Sequence, residues 1–265
     1  MIKKDIFNTK IWEIQKRQLL ILDTIVSICN KHQLTYFLEG GTLMGALIHK
    51  GFGLYDDDID ISMPRLDFEK LIYLCKKELP PPLFLDYFTT NSDYSLVFAK
   101  VKDKTMVYPE QNRETDDHVF IDIFPLDSIC GKRKLRLKMV LLTNDIFKNM
   151  LFIRNNNKRK TRFQSIYSKI LKLVDTKYII RAYYLLFVST ADTSTVVNYG
   201  GRRKRQKYDI LNKEMYLPST TGIFENKMYR IPNNAMRLIE AQQPNRLNDY
   251  ANKQEYSHID INRIR

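Results

Sequence analysis

The stretch "FLEGGTLMGALIHKGFGLYDDDIDI", residues 37–61, decides how this chain is read. A buried strand over 34–38 runs into Glu39, Gly40 and Gly41, and a short helix carrying Leu43, Met44, Leu47 and Ile48 follows, with Thr42 expected as its N-cap and Gly51 as its stop. Asp56, Asp57, Asp58 and Asp60 come next, in a chain whose formal net charge is +13. A strand over 58–61 has a period of two, so Asp58 and Asp60 share one face and Ile59 and Ile61 the other. Two carboxylates held side by side in a cleft repel, which raises the pKa of at least one unless a cation offsets the charge. Oxygen donors suit Mg2+ or Mn2+ far better than zinc, for which no Cys/His set lies nearby.

Upstream, the Gly40-Gly41 junction offers backbone N–H groups and the positive end of a helix dipole, a cradle for a nucleotide phosphate that Thr42 would join. Neither GxxxxGK[ST] nor GxGxxG is present, so this is not a P-loop or a dinucleotide fingerprint. Downstream, "HVFIDIFPLD" at 118–127 supplies a third carboxylate, Asp122, between two isoleucines on a strand, while Asp127 follows Pro125 and is expected at a turn. If the two strands are neighbours, Asp58, Asp60 and Asp122 can hold two divalent ions that neutralise phosphates and orient an acceptor hydroxyl. A bare DDDxD run is otherwise a solvated turn or a calcium loop, but the EF-hand spacing does not match, and Asp56 and Asp57 suit loop solvation as well as a direct role.

Around these motifs the spacing predicts a helix over 11–29, a helix from Pro64 through Phe68, Leu71, Ile72 and Cys75, and strands near 83–87, 95–102 and 118–124. That mixture indicates an α+β fold: a mixed sheet core flanked by helices over 1–130, then a mainly helical, basic region over 131–265 that binds donor or acceptor. An apolar fraction of 44% and a charged fraction of 28% exclude disorder as an overall description. The longest apolar stretch, 178–190, contains Arg181 and is too short to span a bilayer, and no secretion signal is recognisable, so an integral membrane protein is not expected. Cys29, Cys75 and Cys130 lie far apart, which suits a reducing, cytoplasmic setting. Basic groups at 132–138, 158–162 and 202–207 suit peripheral contact with anionic lipid on the inner face of the cytoplasmic membrane, or a solvated surface. No zinc-finger or RNP-like pattern supports specific nucleic-acid binding.

Together, "EGGTLMGALIHKGFGLYDDDIDI" and "FIDIFPLD" resemble the LicD family of phosphotransferases, in the nucleotidyltransferase superfamily and related to fukutin-type enzymes. The resemblance implies a nucleotidyltransferase-like fold and places the superfamily signature on Gly40, Gly41, Asp58, Asp60 and Asp122. It departs from the family where Arg-His and Pro-Trp are usual: this chain has Ile48-His49 and Leu54-Tyr55. By resemblance, Asp58 and Asp60 hold a donor-side ion, Asp122 a second one, His49 contacts a phosphate or the acceptor, and Lys100 contacts a donor phosphate. Tyr55 can stack on a base or face a choline ammonium, and His258 matches a terminal family histidine. The implied reaction is metal-dependent transfer of a substituted phosphate, phosphocholine from CDP-choline above all, to a hydroxyl of a cell-surface glycan such as lipopolysaccharide, capsular polysaccharide or teichoic acid, or of its lipid-linked precursor. Glycerol- or ribitol-phosphate transfer and nucleotidyl transfer are alternatives on the same fold. A basic lipid- or RNA-binding module with an inactive acidic cluster is the alternative of another class.

Overall fold

Helix α1, Ile2–Lys31, turns its apolar stripe to the sheet: Ile14, Ile21, Leu22, Ile25 and Cys29 are buried at the three-to-four spacing of one helix face. The computed structural model describes residues 2–53, 56–94, 96–108, 117–129, 134–155, 162–189, 191, 193–200, 210–242 and 247–248. After α1 come β1 (Phe37–Leu38), α2 (Gly40–Ile48), β2 (Asp60–Pro64), α3 (Arg65–Glu78), β3 (Leu83–Asp86), β4 (Ala99–Tyr108) and β5 (Asp117–Ser128). The chain continues with α4 (Lys134–Asn155), α5 (Arg162–Lys172), α6 (Thr176–Phe187), β6 (Thr195–Val197), β7 (Ile210–Asn212), β8 (Thr220–Phe224), β9 (Lys227–Ile231) and α7 (Ala235–Gln242).

The fold is α+β, as expected. Its sheet runs β1-β2-β5-β4-β3, and β6 pairs with both β5 and β7, so strands from beyond residue 130 belong to the same sheet. Strands β2 and β5 are parallel, and the other pairs are antiparallel. Period-two alternation sorts the central strands: Ile59, Ile61, Ile121 and Ile123 enter the core with α1 and α3, while Asp60 and Asp122 take the opposite face. A second apolar cluster, with Leu141 and Leu151 of α4 and Tyr183 and Phe187 of α6, packs against Val97, Ile129, Val197 and Tyr199.

The expected strand at 95–102 begins later and runs longer, as β4, with a bulge between Asp103 and Val107. Asp127 is not at a turn. It lies within β5, fully buried, and accepts Arg65 Nε at 2.8 Å on Oδ1 and Arg65 Nη2 at 2.5 Å on Oδ2. Arg65 opens α3, so this fork ties the start of that helix to the central strand, and Pro125 is accommodated because its missing N–H falls on the β4 side, where the pairing of β5 with β4 ends at Ile123. Burial raises the Asp127 carboxyl above the ordinary aspartate range against the pull of Arg65. Removing one partner therefore strands a charge: Asp127→Ala is expected to cost about 3–5 kcal/mol, whereas the apolar double variant Arg65→Met/Asp127→Leu costs less than either single change. Denaturant midpoints of the three variants check this.

Candidate functional site

Parallel pairing of β2 with β5 sets Asp60 directly beside Asp122. Antiparallel pairing sets Lys100 of β4 beside Asp122, and Asp86 of β3 beside Lys100. Four charged residues therefore form a row across four strands. Lys100 Nζ donates to Asp122 Oδ1 at 2.6 Å and stands 3.2 Å from the centre of the Phe120 ring. Two residues along β4 on the same face, Lys102 Nζ reaches Asp86 at 2.6 Å and Asp117 at 2.8 Å. Asp60 has no salt-bridge partner among the described residues. Burial, reinforced by the Asp58 and Asp122 carboxylates, holds its carboxyl well above the ordinary aspartate range, with Lys100 pulling the other way. Burial also raises Asp122, opposed by Lys100 and Lys102.

The strand segment expected from residue 58 starts as β2 at Asp60, although Ile59 O already accepts Asp122 N–H at 2.8 Å. Gly40 and Gly41 make room for the acidic groups. Gly40 has φ +57, and a Cβ on it would sit 2.7 Å from Asp60 Oδ2; one on Gly41 would sit 3.4 Å from Asp56 Oδ1. Thr42 is not the N-cap: α2 begins at Gly40, because the left-handed backbone there turns the chain into the helix three residues early, and Glu39 occupies the cap position without a side-chain cap bond. The Thr42 hydroxyl instead accepts Asp60 N–H at 2.9 Å, and Glu39 N–H donates to Asp60 O at 3.0 Å. The helix N-terminus and the carboxylate row are thus bonded to each other.

Two glutamines that hold the site were not recognised from the sequence. Gln15 and Gln18 of α1 donate to the carbonyls of Asp56 and Asp57, each at 2.7 Å. Gln18 did carry a signal, a polar side chain inside an apolar stripe. Glu39, buried, accepts from Ser62 Oγ and Gln242 Nε2 at 2.8 Å and from Tyr216 OH at 3.4 Å. Glu225, in the β8–β9 turn, accepts Phe52 N–H at 2.9 Å and donates its own N–H to Lys50 O at 2.9 Å, while Phe224 packs edge-on against Phe52. Gly51 gives way to the Glu225 carboxylate, which a Cβ there would strike.

Of the residues singled out above, Gly40, Gly41, Thr42, Asp58, Asp60, Lys100 and Asp122 come together around β2 and β5. His49 does not join them: it is the exposed C-cap of α2, about 13 Å along the helix from Gly40 by the helical rise. Tyr55 and His258 lie outside the described residues. Among the described residues no group of three or more His, Cys, Asp or Glu side chains is arranged to hold a metal ion. The donor chemistry nevertheless suits a hard divalent cation: carboxylate oxygens in register, with the repulsion on Asp60 only partly offset by Lys100.

Residues 33–148 match the family model of the LicD/FKTN/FKRP nucleotidyltransferase domain. They form a LicD-type domain. The lipopolysaccharide cholinephosphotransferase LicD of Haemophilus influenzae is 32% identical over 120 residues, a stretch that is 43% of this chain and 43% of that relative. The match thus spans less than half of the relative's length. The LicD-type domain takes in the glycine pair, the aspartate run, Lys100 and Asp122, and stops before the end of α4. The family resemblance read from the two motifs is borne out.

Two outcomes follow from this geometry. The folded-state pKa of Asp60 lies above its unfolded value, so its contribution to stability falls as pH rises from the ordinary aspartate range towards that folded value. In chelator-treated protein, Asp60→Asn is therefore expected to raise the melting temperature near neutral pH by a few degrees and to flatten this part of the pH profile. Gly40→Ala is expected to lose about 1–2 kcal/mol from its left-handed backbone and to displace the Asp60 carboxylate, which denaturation and turnover assays read separately.

Proposed function

We propose that this chain is a phosphotransferase that moves phosphocholine from CDP-choline to a hydroxyl of a cell-surface glycan, lipopolysaccharide or its lipid-linked precursor. The observation that carries the reading is the register of Asp60 with Asp122, with Asp58 two residues away, inside a LicD-type domain. A relative of that domain is named a lipopolysaccharide cholinephosphotransferase.

In this reading Asp58, Asp60 and Asp122 would hold Mg2+ or Mn2+, and the bound ions would neutralise the diphosphate and lower the pKa of the acceptor hydroxyl. The N–H groups at Gly40 and Gly41 hold a donor phosphate oxygen, and Lys100 adds a positive charge from β4. The acceptor oxygen attacks the phosphorus that carries choline; the bond to CMP breaks, and its electron pair leaves with CMP. Asp122 is also available to receive the hydroxyl proton directly, the bound ions making the larger contribution. An acceptor long enough to follow α2 would reach His49. We assign the region beyond residue 130 to donor and acceptor binding.

The test is incubation with CDP-choline, other CDP-linked donors or CTP, together with extracted glycan. CMP release with phosphocholine on the acceptor is expected from CDP-choline, whereas pyrophosphate from CTP would assign nucleotidyl transfer instead. Asp58→Asn, Asp60→Asn and Asp122→Asn are each expected to lower turnover by about 100-fold or more while remaining folded, and EDTA to abolish CMP release until Mg2+ is restored. Wild-type turnover from any folded member of the set removes that residue from the mechanism.

A further inference from the structure

Helices α4, α5 and α6 each bury one apolar side and leave a second apolar stripe in solvent. On α4 the exposed stripe is Met139, Leu142 and Ile146, at spacings of three and four, while Leu141 and Leu151 pack inward. On α5 it is Ile166 and Ile170, continued by Leu173 just past the helix end, at 61, 55 and 85% exposure, while Leu171 and Ser168 are buried. On α6 it is Leu185 and Leu186, 78 and 60% exposed, while Tyr183 and Phe187 are buried. The three helices are one packed layer: Arg154 of α4 donates to Leu171 O and Val174 O beyond it, and Phe147 of α4 stacks on Tyr183 and Phe187 of α6. Soluble monomers rarely expose large apolar patches without a partner for them.

Charge identifies the partner. Between residues 134 and 187 there are thirteen lysines and arginines against two aspartates, so this stretch carries eleven of the chain's thirteen net positive charges. Lys138, Lys169, Lys172, Lys177 and Arg181 are exposed beside the apolar stripes. A second copy of the same surface would bring like charges together, which opposes association. Nucleic acid would satisfy the charge and leave the aliphatic stripes in water. An anionic bilayer satisfies both, since aliphatic side chains enter the acyl boundary while lysines reach the headgroups. No helix of the described residues is long and apolar enough to cross a membrane, so the fitting geometry is helices lying on the surface.

We infer that the exposed face of α4–α6 is a docking surface for an anionic lipid bilayer. The inference rests on burial and charge in the helical layer and stands apart from the reaction proposed for the carboxylate row. The test is co-sedimentation of the full chain with phosphatidylcholine vesicles, with and without phosphatidylglycerol, at physiological ionic strength. Expected results are binding about tenfold or more stronger to the anionic vesicles, weakening with added salt, and a loss of about tenfold or more in Ile170→Glu/Leu173→Glu at an unchanged melting temperature. Lys169→Gln/Lys172→Gln is expected to lose several-fold and to show a shallower salt dependence. Failure of the wild-type chain to bind anionic vesicles overturns the inference, as does equal binding by the Ile170→Glu/Leu173→Glu variant. A concentration-dependent dimer that this variant abolishes, without vesicle binding, assigns the face to a second copy and also overturns it.

Discussion

The constraint on which the rest depends is the parallel register of β2 on β5. It places Asp60 against Asp122, and a slip of one residue would send Asp60 to the core face and Ile61 to the cleft. That register concentrates negative charge, an unfavourable arrangement, so it must be held from the other side. Ile59, Ile61, Ile121 and Ile123 hold it: all four are fully buried, and burial of each contributes about 1.5–3 kcal/mol. The Arg65–Asp127 fork fixes the same pair of strands at the far end of β2.

The lysines of β4 are the second part of this balance. Lys100 and Lys102 project onto the acidic face and each takes a carboxylate, so the ion-free fold carries its own counter-charges on the β3 and β4 side of the row. Among the described residues Asp60 is the member of the row without a salt bridge, which is where a mobile cation has most to offset. The helical layer reaches this sheet through Val97, Ile129 and Val197, residues next to or within β4, β5 and β6. The helical layer and the acidic row are consequently attached to the same strands.

Much of this was legible in the sequence because it rests on short-range periodicity. Alternation in "IDI" and "FIDIF" announced that Asp60 and Asp122 would leave the core face, and the glycine pair announced a junction where side chains have no room. What stayed hidden was long-range. Asp127 looked like a turn residue because its partner, Arg65, lies 62 positions earlier and no local pattern reports a buried ion pair. Thr42 looked like a cap because threonine commonly is one, yet its hydroxyl is taken by the backbone of β2. Glu39, a residue beside the motif, turned out to be a hub for Ser62, Tyr216 and Gln242, the last of them 203 positions away.

The β8–β9 turn gives this long-range dependence a temporal consequence. Glu225 grips the backbone at Lys50 and Phe52, 173 residues from the latter, just ahead of the aspartate run. During translation the nascent chain can assemble α1 and the strands through β5 well before residue 225 leaves the ribosome, since folding proceeds from the N-terminal side as synthesis advances. The acidic loop then waits for its last brace, so a ribosome stalled before the hairpin would carry a formed sheet with an unbraced acidic loop.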